Sequence, residues 1–500
     1  MKLFKKLASF ILAFAMVAAI AMPSVVMADN DTTYTLTLNN TTTGHTYEVY
    51  QIFTGKLTTK GSKKILSDLE WGSGVKENVY SGTTAKAKAE GLKTADDAKT
   101  FAEELVKDKL SETKKTVSST DKTTVISGLT PGYYLVKDTD GSLSGNNQTN
   151  DSYTSYILEV VGDASANLKS DVPSSEKKVK DINDSTDTTT GDWKDSADWD
   201  IGDEVPFKIE GTLPTNYSSY KKYTLKFHDT EQEGLTFNER SVKVYIDDVE
   251  VKTGYNIVTG GLTDGCNFEV VFDDLKTTDA HNGSKVRVEY TSTLNSKANL
   301  GKLGNKNTMY MEFSNNPNVE HGGETGKTPE DTVIVFTYKV SVNKVNENNE
   351  NLGGAKFTLE KYSKTEDKWV EITKVEGTAD YLFEFKGIDD GKYRLTEIDA
   401  PDGYDKLADP IYFTVTAGHL DDPNPSLESL SGDITSGNIG EMTFGSNVEN
   451  GILSTTIQNK PGSSLPSTGG MGTTVLYVAG TLMIIAAAAF LVMKKKAENK

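Results

Sequence analysis

The chain has 500 residues and a formal net charge of −19 at pH 7. That length exceeds what a single hydrophobic core organises and sets an expectation of about three domains, while the acidic balance argues against nucleic acid as a partner. Cys266 is the one cysteine, so a disulfide framework within the chain is excluded.

At the N-terminus, Lys2, Lys5 and Lys6 precede an apolar stretch over residues 7–22, and Val26-Met27-Ala28 supplies small residues before Asp29. This order reads as a secretory signal, residues 1–28, removed on export. An exported chain without disulfides has to be stabilised in another way. From Asp29 onward, apolar and polar residues alternate with period two between turns rich in Gly, Asn and Asp, as in residues 34–38, 242–246 and 286–290. The fold class expected is mainly β: tandem immunoglobulin-like sandwiches. One stretch, residues 85–110, concentrates Ala, Leu, Lys and Glu and reads as a helical insertion in the first domain. Composition shifts divide the mature chain into a first domain (29–170), a middle domain (171–331), a last domain (332–460), and a linker with tail (461–500).

Several polar residues carry the parity of core positions. In the middle domain Lys177 shares a face with Val179, Asp229 with Tyr223, Leu225 and Phe227, and Asn315 with Met309, Met311 and Phe313. Neighbouring Lys178 and Asn316 leave that assignment open by one residue. In the last domain Lys344 goes with Val340 and Val342, Glu397 with Tyr393 and Leu395, and Asn459 with Leu453 and Ile457. Each set runs lysine, acid, asparagine on a first, a middle and a last strand. Unpaired buried charges cost several kcal/mol, so such groups pair or react. Desolvation favours a neutral amine and a protonated acid. A neutral Lys344 beside the Asn459 carboxamide can then form an isopeptide bond with loss of ammonia, Glu397 shuttling protons and polarising the carbonyl. In the first domain the opening strand, residues 34–40, has no lysine. No internal bond is expected there, and this domain should be the least stable and most protease-sensitive.

The aspartate-rich residues 181–204 lack the EF-hand spacing and read as a solvated loop, with a calcium site as the alternative. His45, His228, His281, His321 and His419 form no spaced cluster, so no metal is expected. No phosphate loop or nucleophile turn stands in the chain, and neither an enzyme nor a cofactor is expected.

The tail begins with Leu465-Pro466-Ser467-Thr468-Gly469, continues through an uncharged run over residues 473–493, and ends in Lys494, Lys495 and Lys496. At about 1.5 Å per residue the run crosses a hydrocarbon core of about 30 Å, with the lysines at the cytoplasmic end. This arrangement resembles the cell-wall sorting signal of Gram-positive bacteria. The resemblance implies that a sortase cuts between Thr468 and Gly469 and passes the Thr468 acyl group to an amine of peptidoglycan or of a neighbouring subunit. The chain would then be a wall-anchored surface protein, with only transient membrane insertion.

Leu352-Gly-Gly-Ala-Lys-Phe357 and Tyr393-Arg-Leu-Thr-Glu-Ile-Asp-Ala-Pro-Asp-Gly-Tyr404 resemble the CnaB-type domain of Gram-positive adhesins and pilins. That family implies a Lys344–Asn459 isopeptide with catalytic Glu397. Residues 176–179, 228–230, 234–237 and 314–317 look like the middle domain of fimbrial backbone subunits, which implies a second bond with Asp229 as the acid. Residues 131–138 resemble a strand of pilin N-terminal domains, with Asp138 where an acid would stand. The acceptor amine of polymerising pilins lies at the junction of first and middle domains, usually in a Tyr-Pro-Lys context; Lys169 stands there without the Tyr-Pro. The leading expectation is a fimbrial backbone subunit. The alternative is a monomeric adhesin or minor pilin that binds a host ligand.

Overall fold

The computed structural model of the chain describes residues 32–60, 63–143, 151–153, 155–167, 171–186, 191–321, 323–376, 381–437, 442–463 and 471–498. The signal segment lies outside them. Alternation becomes paired sheet wherever one face can be buried. In the first domain a three-stranded sheet (Thr123–Leu129, Tyr34–Asn39, Ala164–Asn167) faces a five-stranded one built around Thr46–Lys60 and Gly132–Asp138. Leu36, Leu38 and Ile126 from the first meet Tyr47, Val49 and Val136 from the second.

The helical insertion forms as Ala85–Gly91 and Ala95–Glu104, followed by a π-helical turn at Leu105–Lys109. Thr84 caps the first helix, and a Thr94–Asp97 capping box starts the second. Ala85, Ala89, Phe101 and Leu105 bury against Phe53 and Tyr133 in a second core.

The middle domain pairs a six-stranded with a seven-stranded sheet, and the last domain a four-stranded with a five-stranded one. The sequence division at residue 331 falls at the start of strand Asp331–Phe336. That strand hydrogen bonds to Asn305–Ser314 and Ser196–Asp198, so it belongs to the middle domain. The next strand, Tyr338–Val345, opens the last domain. The apolar run is continuous here because both faces are covered. Val333 and Val335 enter the middle core, whereas Ile334 and Phe336 enter the core of the last domain.

The aspartate-rich segment departs from its expectation as a solvated loop. Asp195, Asp198 and Asp200 are buried because the segment is the seam between middle and last domains. Ile201 N–H donates to Gly387 O at 3.0 Å, Asp390 N–H to Asp198 Oδ2 at 2.9 Å and Asp389 N–H to Asp200 Oδ1 at 3.0 Å. Gly387 has φ +79°, and a Cβ there would stand 2.5 Å from Ile201 side-chain atoms, so glycine is required by both backbone and space. Lys178 takes Asp195, and Lys361, itself buried, is the cation of the remaining cluster, 3.0 Å from Asp200, 2.6 Å from Asp184 and in contact with Asp389.

One ammonium cannot balance this many acids. Burial pushes Asp198, Asp200 and Asp389 above the ordinary carboxylate range, and Asp390 up to about 6. Such acids keep their protons to a higher pH folded than unfolded, so stability from the seam falls as pH rises through about 6. Removing the cation strands the acids: Lys361→Met should cost about 3–5 kcal/mol at neutral pH, with part recovered on acidification as the acids protonate. Denaturant unfolding of both chains across this range checks it; an equal loss at every pH would count against the seam's electrostatics.

Candidate functional site

The last-domain constellation assembles because its first and last strands are parallel neighbours. Tyr338–Val345 pairs with Ile452–Gln458 so that Lys344 stands opposite Ile457, and Asn459 N–H donates to Val345 O at 3.1 Å. Lys344 Nζ donates to Asn459 Oδ1. Glu397, from Gly391–Asp399 of the facing sheet, places Oε1 3.2 Å from Lys344 Nζ and 3.0 Å from Asn459 Nδ2. Its Oε2 accepts from Leu407 N–H at 2.8 Å, which fixes the carboxyl. All three side chains are buried. Burial lowers the Lys344 amine from its ordinary value against the opposing pull of Glu397, favouring a neutral nucleophile.

In the middle domain the structure brings Lys177 and Asp229 together and leaves Asn315 out. Lys177 Nζ bonds Asp229 Oδ2 and, at 2.6 Å, the Tyr290 hydroxyl. Tyr290 donates to Asp229 Oδ2 at 2.9 Å and accepts from Asn307 Nδ2 at 2.9 Å. Glu231 accepts from Asn307 at 3.2 Å. Desolvation lowers Lys177 and raises Asp229, while Glu231 is pushed up to about 8. Among the described residues, Asp229 Oδ1, Asn307 Oδ1 and Asn315 Oδ1 all lack a hydrogen-bond partner, so satisfaction does not separate the two asparagines.

Asn307 and Asn315 share parity, so alternation alone put either on the inner face. Register decides between them. Met309 stands opposite Asp229 and Asn307 opposite Glu231, which leaves Asn315 about 20 Å further along the strand. There its carbonyl accepts from Tyr153 N–H at 2.8 Å and its N–H bonds Glu324 O at 3.1 Å, while Asn316 Oδ1 accepts from Asn318 N–H at 3.0 Å. Lys178 faces the other way, onto Asp195. Tyr290, Glu231 and Asn307 were missed in the sequence. Their inward parity was visible, but their cross-strand partners were not.

The first domain fills the equivalent space differently. Buried Asp138 meets His45 Nδ1 at 2.6 Å, and Asp151 Oδ2 meets His45 Nε2 at 2.8 Å. Burial works against the imidazolium, but bonds and charges of the two aspartates outweigh it and lift His45 to about 10. A raised folded value means that this stabilisation is complete below the ordinary 6.5 and is lost as pH rises through about 10. The first domain should therefore open to protease progressively over that interval. His45→Ala should lower its stability by about 3–5 kcal/mol at neutral pH and flatten the dependence. An unchanged alkaline slope in the variant would assign the effect elsewhere.

Lys169 and the Leu465, Pro466, Ser467, Thr468 and Gly469 motif lie outside the described residues. The helix that follows, Met471–Glu498, has a span at Thr474–Glu498 with mean hydropathy 2.5, long and apolar enough to cross a membrane.

Residues 338–423 match the family model of the SpaA prealbumin-like fold domain, and residues 457–500 match the LPXTG cell wall anchor motif. The trypsin-resistant surface T6 protein of Streptococcus pyogenes serotype M6 is 24% identical over 392 residues, 66% of this chain and 70% of that protein. The solved T6 backbone pilin of that serotype, described as a modular three-domain structure, aligns with a TM-score of 0.54 at 18% identity over 88% of this chain and 100% of that one. The full-length major pilin SpaD of Corynebacterium diphtheriae gives 0.48 at 21% identity, over 87% and 99%. The anchor match falls where the sorting motif stands and the prealbumin-like match where the Lys344 site is built, so the chain carries a SpaA-type prealbumin-like domain and an LPXTG cell wall anchor and is similar in fold to a three-domain backbone pilin.

Proposed function

We propose that the chain is the structural backbone subunit of a sortase-assembled fimbrium, stiffened by internal isopeptide bonds Lys344–Asn459 and Lys177–Asn307. The observation that carries the reading is that one oxygen, Glu397 Oε1, touches both nitrogens whose protons must change places. The neutral Lys344 amine attacks Asn459 Cγ. Glu397 takes the proton that the amine loses and delivers it to the departing carboxamide nitrogen. Ammonia leaves, and an amide joins the two side chains. In the middle domain Asp229 holds the amine, and Tyr290 extends the same relay to Asn307. The chain's chemistry is thus self-directed, and catalysis of assembly belongs to the sortase.

Lys344 and Asn459 are separated by 115 residues, and closing such a loop removes unfolded-chain entropy worth about 5 kcal/mol. The bond also joins the first strand of the domain to the last. Tension entering at one end then leaves at the other through covalent bonds and bypasses the sheets between.

Assembly would use the Thr468 acyl group and an amine, Lys169 of the next subunit within the fibre or peptidoglycan at its base. The missing Tyr-Pro before Lys169 favours one second reading, a monomeric wall-anchored adhesin or minor pilin with a host ligand. Both readings share the anchor and differ in the acceptor.

Intact mass of wall-released protein should fall short of the sequence mass by two ammonias. Asn307→Ala should restore one, Asn315→Ala neither, and Glu397→Ala one. A full mass in the parent, or a loss caused by Asn315→Ala in place of Asn307→Ala, would overturn the assignment. Thr468→Ala should leave the chain in the membrane fraction. Lys169→Ala should collapse any high-mass ladder to monomer, whereas a parent strain with no ladder selects the adhesin.

A further inference from the structure

Strand Leu225–Glu231 sends Asp229 to the inner face of its sheet and His228 to the outer one. In register, His228 stands between Glu269 on one neighbouring strand and Tyr310 on the other. The Tyr310 ring stacks on the imidazole at 4.3 Å. The chain leading into Phe268–Phe272 brings Asp264 and Cys266 over the same spot. His228 Nδ1 lies 2.7 Å from Asp264 Oδ2, 3.3 Å from Glu269 Oε1 and 3.8 Å from Cys266 Sγ. Cys266 Sγ lies 2.9 Å from Asp264 Oδ1 and 3.9 Å from Glu269 Oε1.

We propose that His228 Nδ1, Asp264, Cys266 Sγ and Glu269 form a binding site for a zinc-class transition-metal dication. The four donors lie within 4.8 Å of one another. A tetrahedron with bonds of about 2.0–2.3 Å has donor–donor edges of about 3.3–3.8 Å, so small side-chain adjustments close the cage. The donor set is imidazole, thiolate and two carboxylates, which suits zinc and disfavours calcium and magnesium, ions that take oxygen ligands. Behind the imidazole, Glu312 Oε2 sits 3.1 Å from Nε2. A carboxylate there holds the proton on Nε2 and turns the Nδ1 lone pair toward the other three donors.

Charge points the same way. Asp264, Glu269 and Glu312 surround one imidazole; Lys226 offsets Glu312 at 3.3 Å, and Asp264 and Glu269 leave a negative charge in the cage that a dication offsets. His228 and Cys266 are buried while Asp264 is exposed, which leaves an entry path from solvent. On binding, the Cys266 S–H bond breaks, a metal–sulfur bond forms, and the proton passes to solvent. The site would pin the chain before Phe268–Phe272 to the sheet, a local staple in a molecule without disulfides.

The test uses the full chain, solubilised in detergent and stripped with a chelator, then titrated with Zn2+ against a chromophoric competitor and with Co2+ as a spectroscopic probe. One equivalent of each should bind, with a thiolate-to-cobalt charge-transfer band and tetrahedral ligand-field bands. Cys266→Ser should abolish the charge-transfer band. Asp264→Asn should weaken Zn2+ binding, and Glu312→Gln should weaken it by about 10–100-fold. Should His228→Gln fail to fold, the Cys266 and Asp264 variants decide, since both lie in the approach to the strand. No stoichiometric binding, binding indifferent to Cys266→Ser and Asp264→Asn, or Zn2+ displaced by equimolar Ca2+ would each overturn the proposal.

Discussion

The middle and last domains are both built around an amine and a carboxyl taken out of water beside a carboxamide. In water the pair would be an ordinary ion pair worth little. In a dry core, charge is penalised, the amine tends to lose its proton and the acid to keep one. The Lys344, Glu397 and Asn459 side chains meet under those conditions, all buried and in mutual contact. The middle domain meets the same constraint with more parts, since Tyr290 stands between Asp229 and Asn307. The first domain holds an imidazole, His45, between buried Asp138 and Asp151, and a buried Lys137 against Glu48.

The junction between middle and last domains obeys a related logic. Strand Asp331–Phe336 lends alternate residues to two cores, so neither domain completes its interior without it. Beside it, the aspartate-rich segment is buried around Lys361. A shared strand and a buried ion cluster tie the two domains together through packing and charge, where a solvated linker would leave them joined by the chain alone.

One strand, Leu225–Glu231, serves both faces of its sheet. Its inward Asp229 contacts Lys177, and its outward His228 gathers Asp264, Cys266, Glu269 and Glu312. In a sheet of period two, adjacent residues of one strand belong to separate chemical environments. A site on one face therefore constrains little of what the other can hold.

The sequence alone determined the things that depend on local order or on parity. Sorting motif with its apolar span, β class, helical insertion and the inward aim of Lys177, Asp229, Lys344, Glu397 and Asn459 are all of this kind. A strand's alternation is a property of consecutive residues, and so it is written in them. Which inward residues touch depends on strand register and sheet order, and these are fixed by contacts between segments far apart in the chain. Hence Lys344 and Asn459 could be paired through a recognised motif, whereas parity could not choose between Asn307 and Asn315. For the same reason the aspartate-rich segment looked solvated until the last domain covered it. The His228 cluster was likewise invisible, its donors spread over positions 228 to 269 with no ligand spacing, until cross-strand pairing set them side by side.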